Sequence, residues 1–173
     1  MKLHTERLIL REYGLDDFAA VHAYASDPRV AKFVEWGPNR PEDTREFLDT
    51  CVRDQQTRPR TTYTLALTEA GGAPFGSVAL FARRADAAAM GYVVRPDHWG
   101  QGYASEAAAA ILHFAFSTLG LHRVQATCRP ENIASARVLE KIGMVKEVLL
   151  RDHIQIRGQW HDSLLYVATS TPS

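Results

Sequence analysis

The stretch best suited to chemistry by residue type and spacing is Trp99-Gly100-Gln101-Gly102-Tyr103-Ala104-Ser105-Glu106. Two glycines one residue apart let the backbone approach a ligand with no side chain between them. An apolar, strand-like run, Met90-Gly91-Tyr92-Val93-Val94, precedes the pair, and an Ala-rich run that reads as a buried helix follows it. The first amides of such a helix have no partner within it and carry the positive end of its dipole. An anion suits that place, above all a phosphate or pyrophosphate. Taken alone, a glycine pair is equally compatible with a plain tight turn.

The elements that must position this stretch follow from periodicity. Arg7–Arg11 reads as a short strand, and Asp16–Ser26 as a helix with Phe18, Val21 and Ala25 on one face. Pro28 opens a shorter helical piece through Phe33, and the turn-rich loop Glu35–Pro41 leads into a helix to about Gln56. Phe47, Leu48 and Cys51 are its inward residues. Strands then follow near Tyr63–Leu67, Phe75–Phe81 and Ala88–Val94, joined by short links as an antiparallel meander. A helix over Ala104–Leu119, stopped by Gly120, crosses over to a strand at His122–Cys128 that lies beside the third meander strand. Ile133–Ile142 reads as a last helix, with Ala134, Val138, Leu139 and Ile142 inward and Gly143 as its stop. Two strands near Val145–Ile154 and Leu164–Thr169 close the chain around the turn Arg157-Gly158. The result is a mixed α/β protein with helices on both faces of a twisted mixed sheet, where ligands bind beyond diverging strand ends.

Composition narrows the classes. A chain of 173 residues is expected to form one domain, residues 1–173, with 169–173 as a frayed tail. Lys plus Arg and Asp plus Glu both number 20, so no global field favours nucleic acid or an anionic membrane surface. No apolar run reaches the ~20 residues of a membrane span, and the chain reads as cytoplasmic. Cys51 and Cys128 match neither a metal nor a redox spacing, so free thiols and no metal are expected. The sequence leaves monomer and homodimer open.

Four segments together resemble one family. Thr5-Glu6-Arg7-Leu8, then Asp27-Pro28 and Trp99–Ala107, then Pro130-Glu131-Asn132-Ile133-Ala134-Ser135 through Gly143, are similar to the GNAT acetyltransferases. The closest likeness is to the branch of ribosomal-protein N-terminal alanine acetyltransferases, the RimJ/RimL type, which the ending Gly158-Gln159-Trp160-His161-Asp162 also fits. The resemblance implies the GNAT fold, with a sheet of six or seven strands. It implies acetyl-CoA as cofactor, coenzyme A as product and an amine acceptor, either a protein N-terminus or a small molecule. It places the diphosphate against Trp99, Gly100, Gln101, Gly102, Tyr103, Ala104 and Ser105, the pantetheine along Tyr92, Val93 and Val94, and Asn132 on the cofactor. Gly102 and Ala104 fill the family's last two fixed loop positions, and Trp99 stands where Gln or Arg is usual.

Two further departures concern the chemistry. Leu139 occupies the position of the family's frequent acid, a tyrosine, so Ser135 one turn earlier is the implied proton donor to the departing thiolate. Simple packing or capping is the plainer role for that serine, as helix entry is for Asn132. Ala89 stands where a strand glutamate often acts as base, which leaves Glu35, His153, His161 and Asp162 as candidates. Glu35 and Trp36 suit the acceptor mouth, where acid and aromatic groups favour a cationic amine. An α-amine with a pKa near ~8 is roughly one-tenth neutral at pH 7, whereas a lysine amine at ~10.4 is neutral in about one molecule in a few thousand. A weak base therefore favours an N-terminal or other low-pKa amine. The rival readings are a small-molecule transferase acting on an antibiotic or polyamine, a non-catalytic acyl-CoA-binding module, a nucleotide-binding module, and an acyl-enzyme route through Cys128.

Overall fold

The computed structural model describes residues 1–170. The chain opens with strands β1 (Lys2–His4) and β2 (Leu8–Glu12), then helices α1 (Phe18–Ala25), α2 (Pro28–Ala31) and α3 (Pro41–Gln56). Strands β3 (Thr62–Glu69), β4 (Gly76–Phe81) and β5 (Ala87–Val94) follow. Helix α4 (Tyr103–Ser117) crosses to β6 (Arg123–Cys128), and α5 (Ile133–Lys141) leads to β7 (Val145–Ile156) and β8 (Gln159–Thr169). One sheet holds all eight strands in the order β1-β2-β3-β4-β5-β6-β8-β7. The expected six or seven strands become eight because β1, three residues with an exposed–half-buried–exposed pattern, carries no apolar run to announce it.

The sheet separates two cores. Leu8, Leu10, Leu65, Leu67, Val78, Leu80 and Met90 pack with the α4 residues Ala107, Ala108 and Ile111 on one face. Tyr13, Val21, Tyr24, Leu48, Cys51 and Ala66 pack on the other, beneath α1 and α3. Leu65, Ala66 and Leu67 are each fully buried, since β3 is covered on both faces. Thr68 is buried as well, its hydroxyl donating to Ile9 O at 2.8 Å.

Most pairing is antiparallel. The exception is β5 with β6, which run parallel and pair over Ala87–Arg123, Ala88–Val124 and Ala89–Gln125. β6 then pairs with β8 along its whole length, while β5 continues from Met90 to Val94 against β4. The edge of β5 beyond Ala89 is thus left without a strand partner, and the sheet opens there.

Three expectations need correction. Ala134 is exposed, and the inward residues at the start of α5 are Ser135 and Ala136, because Asn132 caps the helix and sets its phase. The last two strands run to Ile156 and back from Gln159, since Arg157 and Gly158, at φ 46° and 80°, form a two-residue turn with both residues left-handed. Thr169 is the last residue of β8 and pairs with Arg123, and the amide of Ser170 donates to His122 O, so the expected loose tail does not begin at 169. The rest of that tail, 171–173, lies outside the described residues.

Candidate functional site

The loop between β5 and α4 is built to present main-chain donors. Gly102 sits at φ +84°, a left-handed conformation costly for any residue with a side chain, and turns the chain into α4. Among the described residues, the amides of Gly100, Gln101, Gly102, Tyr103, Ala104 and Ser105 have no hydrogen-bond acceptor, and the first closed helical bond is Glu106 N to Gly102 O. Six donors therefore gather at the dipole-positive end of a fifteen-residue helix.

Side chains from distant segments hold the loop in this shape. The Glu106 carboxylate accepts from the Thr5 hydroxyl at 2.5 Å, the Arg7 amide at 2.8 Å and Arg7 Nε at 2.8 Å. Burial alone pushes the Glu106 carboxyl upward, but those bonds and the Arg7 charge outweigh it and hold the group below its usual range. Arg7 also donates to Gln101 O at 2.9 Å and stacks its guanidinium over the Tyr103 ring. The Tyr103 hydroxyl donates to Glu69. His98 stacks on Phe75 at 4.1 Å, and Trp99 Nε1 donates to Val94 O at 2.6 Å, pinning the loop to the end of β5. Trp99, which stands where the family usually has Gln or Arg, thus spends its indole N–H on the strand end.

Below the loop, a cavity of about 990 Å³ opens into the gap between β5 and β6. Gly91, Tyr92, Val93, Cys128, Asn132, Ser135 and Leu139 line it on the strand and α5 side. A Cβ built on Gly91 would meet nothing within 4 Å, consistent with open space there. Val94 and the loop residues 99–105 border the gap without lining the cavity itself.

The structure brings Ser135 and Tyr92 together, with hydroxyl oxygens 2.9 Å apart. The Tyr92 hydroxyl also lies 3.1 Å from Ser135 O. Burial pushes the Tyr92 phenol well up, so it stays protonated. Periodicity gave no hint of this side-chain pair, because the two residues meet across 43 positions. Asn132 spends its Oδ1 on α5, accepting from Ser135 N at 3.2 Å, which leaves its amide NH2 for the cavity. Burial raises the Cys128 thiol above its ordinary value, which disfavours the thiolate an acyl-cysteine route needs.

The opposite wall comes from α1, α3 and the loop after α2. Trp36, Asp43, Glu46, Phe47 and Asp54 line it, and Glu35 is exposed outside the cavity lining. Arg157 at the β7–β8 turn holds this wall in place, donating to Gly37 O at 2.9 Å and Ala31 O at 2.6 Å. His153 bonds Ser163 Oγ at 2.6 Å, and Asp162 accepts from Asp152 N at 2.9 Å. Neither those two nor His161 lines the cavity, whereas Glu46 and Asp54 on α3, which the sequence did not single out, do. Arg129 at the end of β6 also lines it, is only 4% exposed, and was read from sequence as part of a strand break. Among the described residues there is no His/Cys/Asp/Glu group suited to a metal ion, and no helix is long and apolar enough to cross a membrane.

Comparison with known proteins adds to this geometry. The family model described as an acetyltransferase (GNAT) domain matches residues 7–145. An uncharacterized N-acetyltransferase, YnaD of Bacillus subtilis, is 34% identical over 167 residues, covering 96% of this chain and 95% of that protein. The crystal structure of a GNAT-family acetyltransferase from Bacillus anthracis superposes with a TM-score of 0.87 at 33% identity, over 98% of both chains. RimL, described as a ribosomal L7/L12 α-N-protein acetyltransferase in complex with coenzyme A, superposes with a TM-score of 0.86 at 20% identity, again over 98% of both chains.

Proposed function

This chain belongs to the GNAT acetyltransferases, and from that premise we propose that it transfers an acetyl group from acetyl-CoA to a primary amine of the α type, such as a peptide N-terminus, by direct attack in a ternary complex. The observation that carries this reading is continuity. Six unpaired amides at Gly100–Ser105, the open edge of β5 and a walled cavity form one path, with room for an acyl carrier at one end and an amine at the other.

The residues fit acetyl-CoA. The loop amides suit a diphosphate, the unpaired edge of β5 near Tyr92, Val93 and Val94 offers hydrogen bonds to a pantetheine arm, and the amide of Asn132 faces the gap. The bound thioester supplies an activated acyl group with a sulfur leaving group. The chain's own contribution begins with placement, since holding amine and acyl carbon together removes much of the entropic barrier. Backbone donors on β5 are suited to polarising a carbonyl. Ser135 Oγ holds the proton for the departing sulfur, and the Tyr92 hydroxyl, kept protonated by burial, orients that serine.

With Ala at position 89 and Leu at 139, neither the strand glutamate nor the helix tyrosine is available. Of the acids lining the acceptor wall, Asp43 is paired with Arg40, which leaves Glu46 and Asp54 on α3. A modest base of this kind suffices for an amine already part-neutral at pH 7, which favours an α-amine over a lysine or polyamine. The relative described as an α-N-protein acetyltransferase supports the same choice. The test is thiol release by purified enzyme with Ala-led peptides and with diamines. Peptides are expected to be turned over faster, and no acceptor-dependent release with any amine would overturn the reading.

A further inference from the structure

Arg129 is a buried cation without a counter-charge. Its relative exposure is 4%, and it sits where β6 ends beside the gap. Nη2 donates to Thr127 Oγ1 at 3.3 Å, while Nε and Nη1 are buried with no hydrogen-bond partner. No carboxylate among the described residues comes within ion-pair distance of it. Glu35 and Glu131 are the acids that influence it, and both are exposed and unbonded to it. A guanidinium shut away from water with two donor groups idle is strongly disfavoured unless an anion arrives to meet it.

Its side of the sheet decides which anion. Along β6, Val124, Ala126 and Cys128 face the core beneath α4, so Thr127 points to the other face. The bond from Arg129 to Thr127 places the guanidinium on that same side, where both residues line the cavity with residues of α1 and α3. The amide loop for the diphosphate lies at the end of β5, at the start of α4. The cavity is thus polarised, with a cation at the end of β6 and the acids Glu46 and Asp54 on α3.

We propose that Arg129 receives a carboxylate of the acceptor, making the preferred substrate an amino-carboxylate with its negative group a few bonds from the amine that is acetylated. The inference rests on the transferase reading above and names the substrate class of that same site. A planar guanidinium forks onto a carboxylate through two parallel bonds, and Nε and Nη1 are both free for this. Two sources carry the group, a free amino acid and a peptide led by an acidic residue.

The test compares matched acceptors with wild-type enzyme, with rates referred to the neutral fraction of each amine. L-alanine against L-alaninamide probes the free amino acid, and Asp-Ala-amide against Asn-Ala-amide probes the acidic peptide. At least one carboxylate member should exceed its neutral mate about ten-fold or more in kcat/KM, mainly through KM. The pair that shows the preference identifies the source. Arg129→Gln should bring that ratio near one, and Arg129→Lys should retain part of it. Binding of N-acetyl-L-alanine and N-acetyl-L-aspartate, each against its amide, to the coenzyme A complex by calorimetry reads the same preference without turnover. Absence of thiol release with every amine would overturn the transferase reading, while this binding comparison would still decide the role of Arg129. Equal wild-type affinity and rate for carboxylate and amide would overturn the proposal, as would an Arg129→Gln variant that weakens coenzyme A binding and leaves acceptor selectivity intact.

Discussion

The two ends of the site are built differently. At the cofactor end, the loop Gly100–Ser105 leaves its amides free, and almost every side chain around it is bonded. Thr5, Arg7, Glu69, Tyr103 and Glu106 converge on it from three separate segments. At the acceptor end, Glu46 and Asp54 line the wall without bonded partners, Arg129 is nearly idle, and the loop after α2 is held chiefly by the Arg157 clasp. The contrast is that of a fixed ligand and a selected one. In the proposed transferase, the diphosphate meets a pre-paired frame that supplies main-chain donors. An acceptor is met by side-chain charges waiting for partners, on loops that tolerate change.

That contrast breaks if substitutions at one end disturb the other. The largest effect is expected between the two ends, at Ser135, the proposed proton donor. Ser135→Ala should lower kcat by about 100-fold with coenzyme A affinity little changed, and Tyr92→Phe should cost less, about 10-fold, because it only orients the serine. Steady-state kinetics and calorimetry on the same preparations check both. Next is Gly102→Val, which forces a β-branched residue to φ +84° and brings its Cβ within 3.3 Å of Arg7 Nη2. Strain of about 1–3 kcal/mol should appear as a rise of roughly ten-fold or more in the Kd for coenzyme A, with the acceptor KM unmoved.

The strand, loop and helix of the proposed cofactor end were legible because they are local in sequence. The glycine pair, the preceding strand and the Ala-rich helix are contiguous, and backbone donors do not depend on which side chains surround them. The role of Thr5 and Arg7 was not legible, since their bonds to Glu106 span about a hundred residues. The same holds for the Tyr92–Ser135 pair and for Arg157. Arg129 was hidden for another reason. An arginine before Pro130 ends a strand in sequence, and only its 4% exposure in the folded chain shows it to be buried. Strand β1 escaped because its three residues carry no apolar run.

A smaller effect should fall on stability at the cofactor end. Glu106→Gln removes the charge that Thr5 and Arg7 surround and should cost about 1–3 kcal/mol, lowering Tm by roughly 2–10 °C. The pH dependence carries the sign. The Glu106 carboxyl is held below its ordinary value by its hydrogen bonds and the Arg7 charge, against the upward push of burial. Glu12 and Asp17 behave likewise, with burial opposed by the chain terminus and Arg60 for the first, and by Arg11 and the Gly14 amide for the second. Such groups stabilise the fold fully above the ordinary carboxyl range near ~4, and lose that contribution as pH falls through their lowered values. The wild-type Tm should therefore fall on the acid side, and the Glu106→Gln curve should fall less steeply.

The smallest effect is expected at the acceptor clasp. Arg157→Ala frees Gly37 O and Ala31 O and should raise acceptor KM by about 3–10-fold while leaving coenzyme A binding alone. A loss of cofactor affinity in this variant would erase the division between the two ends.

Amide-resolved NMR during titration with coenzyme A tests the central claim most directly. The account predicts that the N–H signals of Gly100, Gln101, Gly102, Tyr103, Ala104 and Ser105 shift more than any on α3. Saturation with coenzyme A while those six signals stay in place would contradict it.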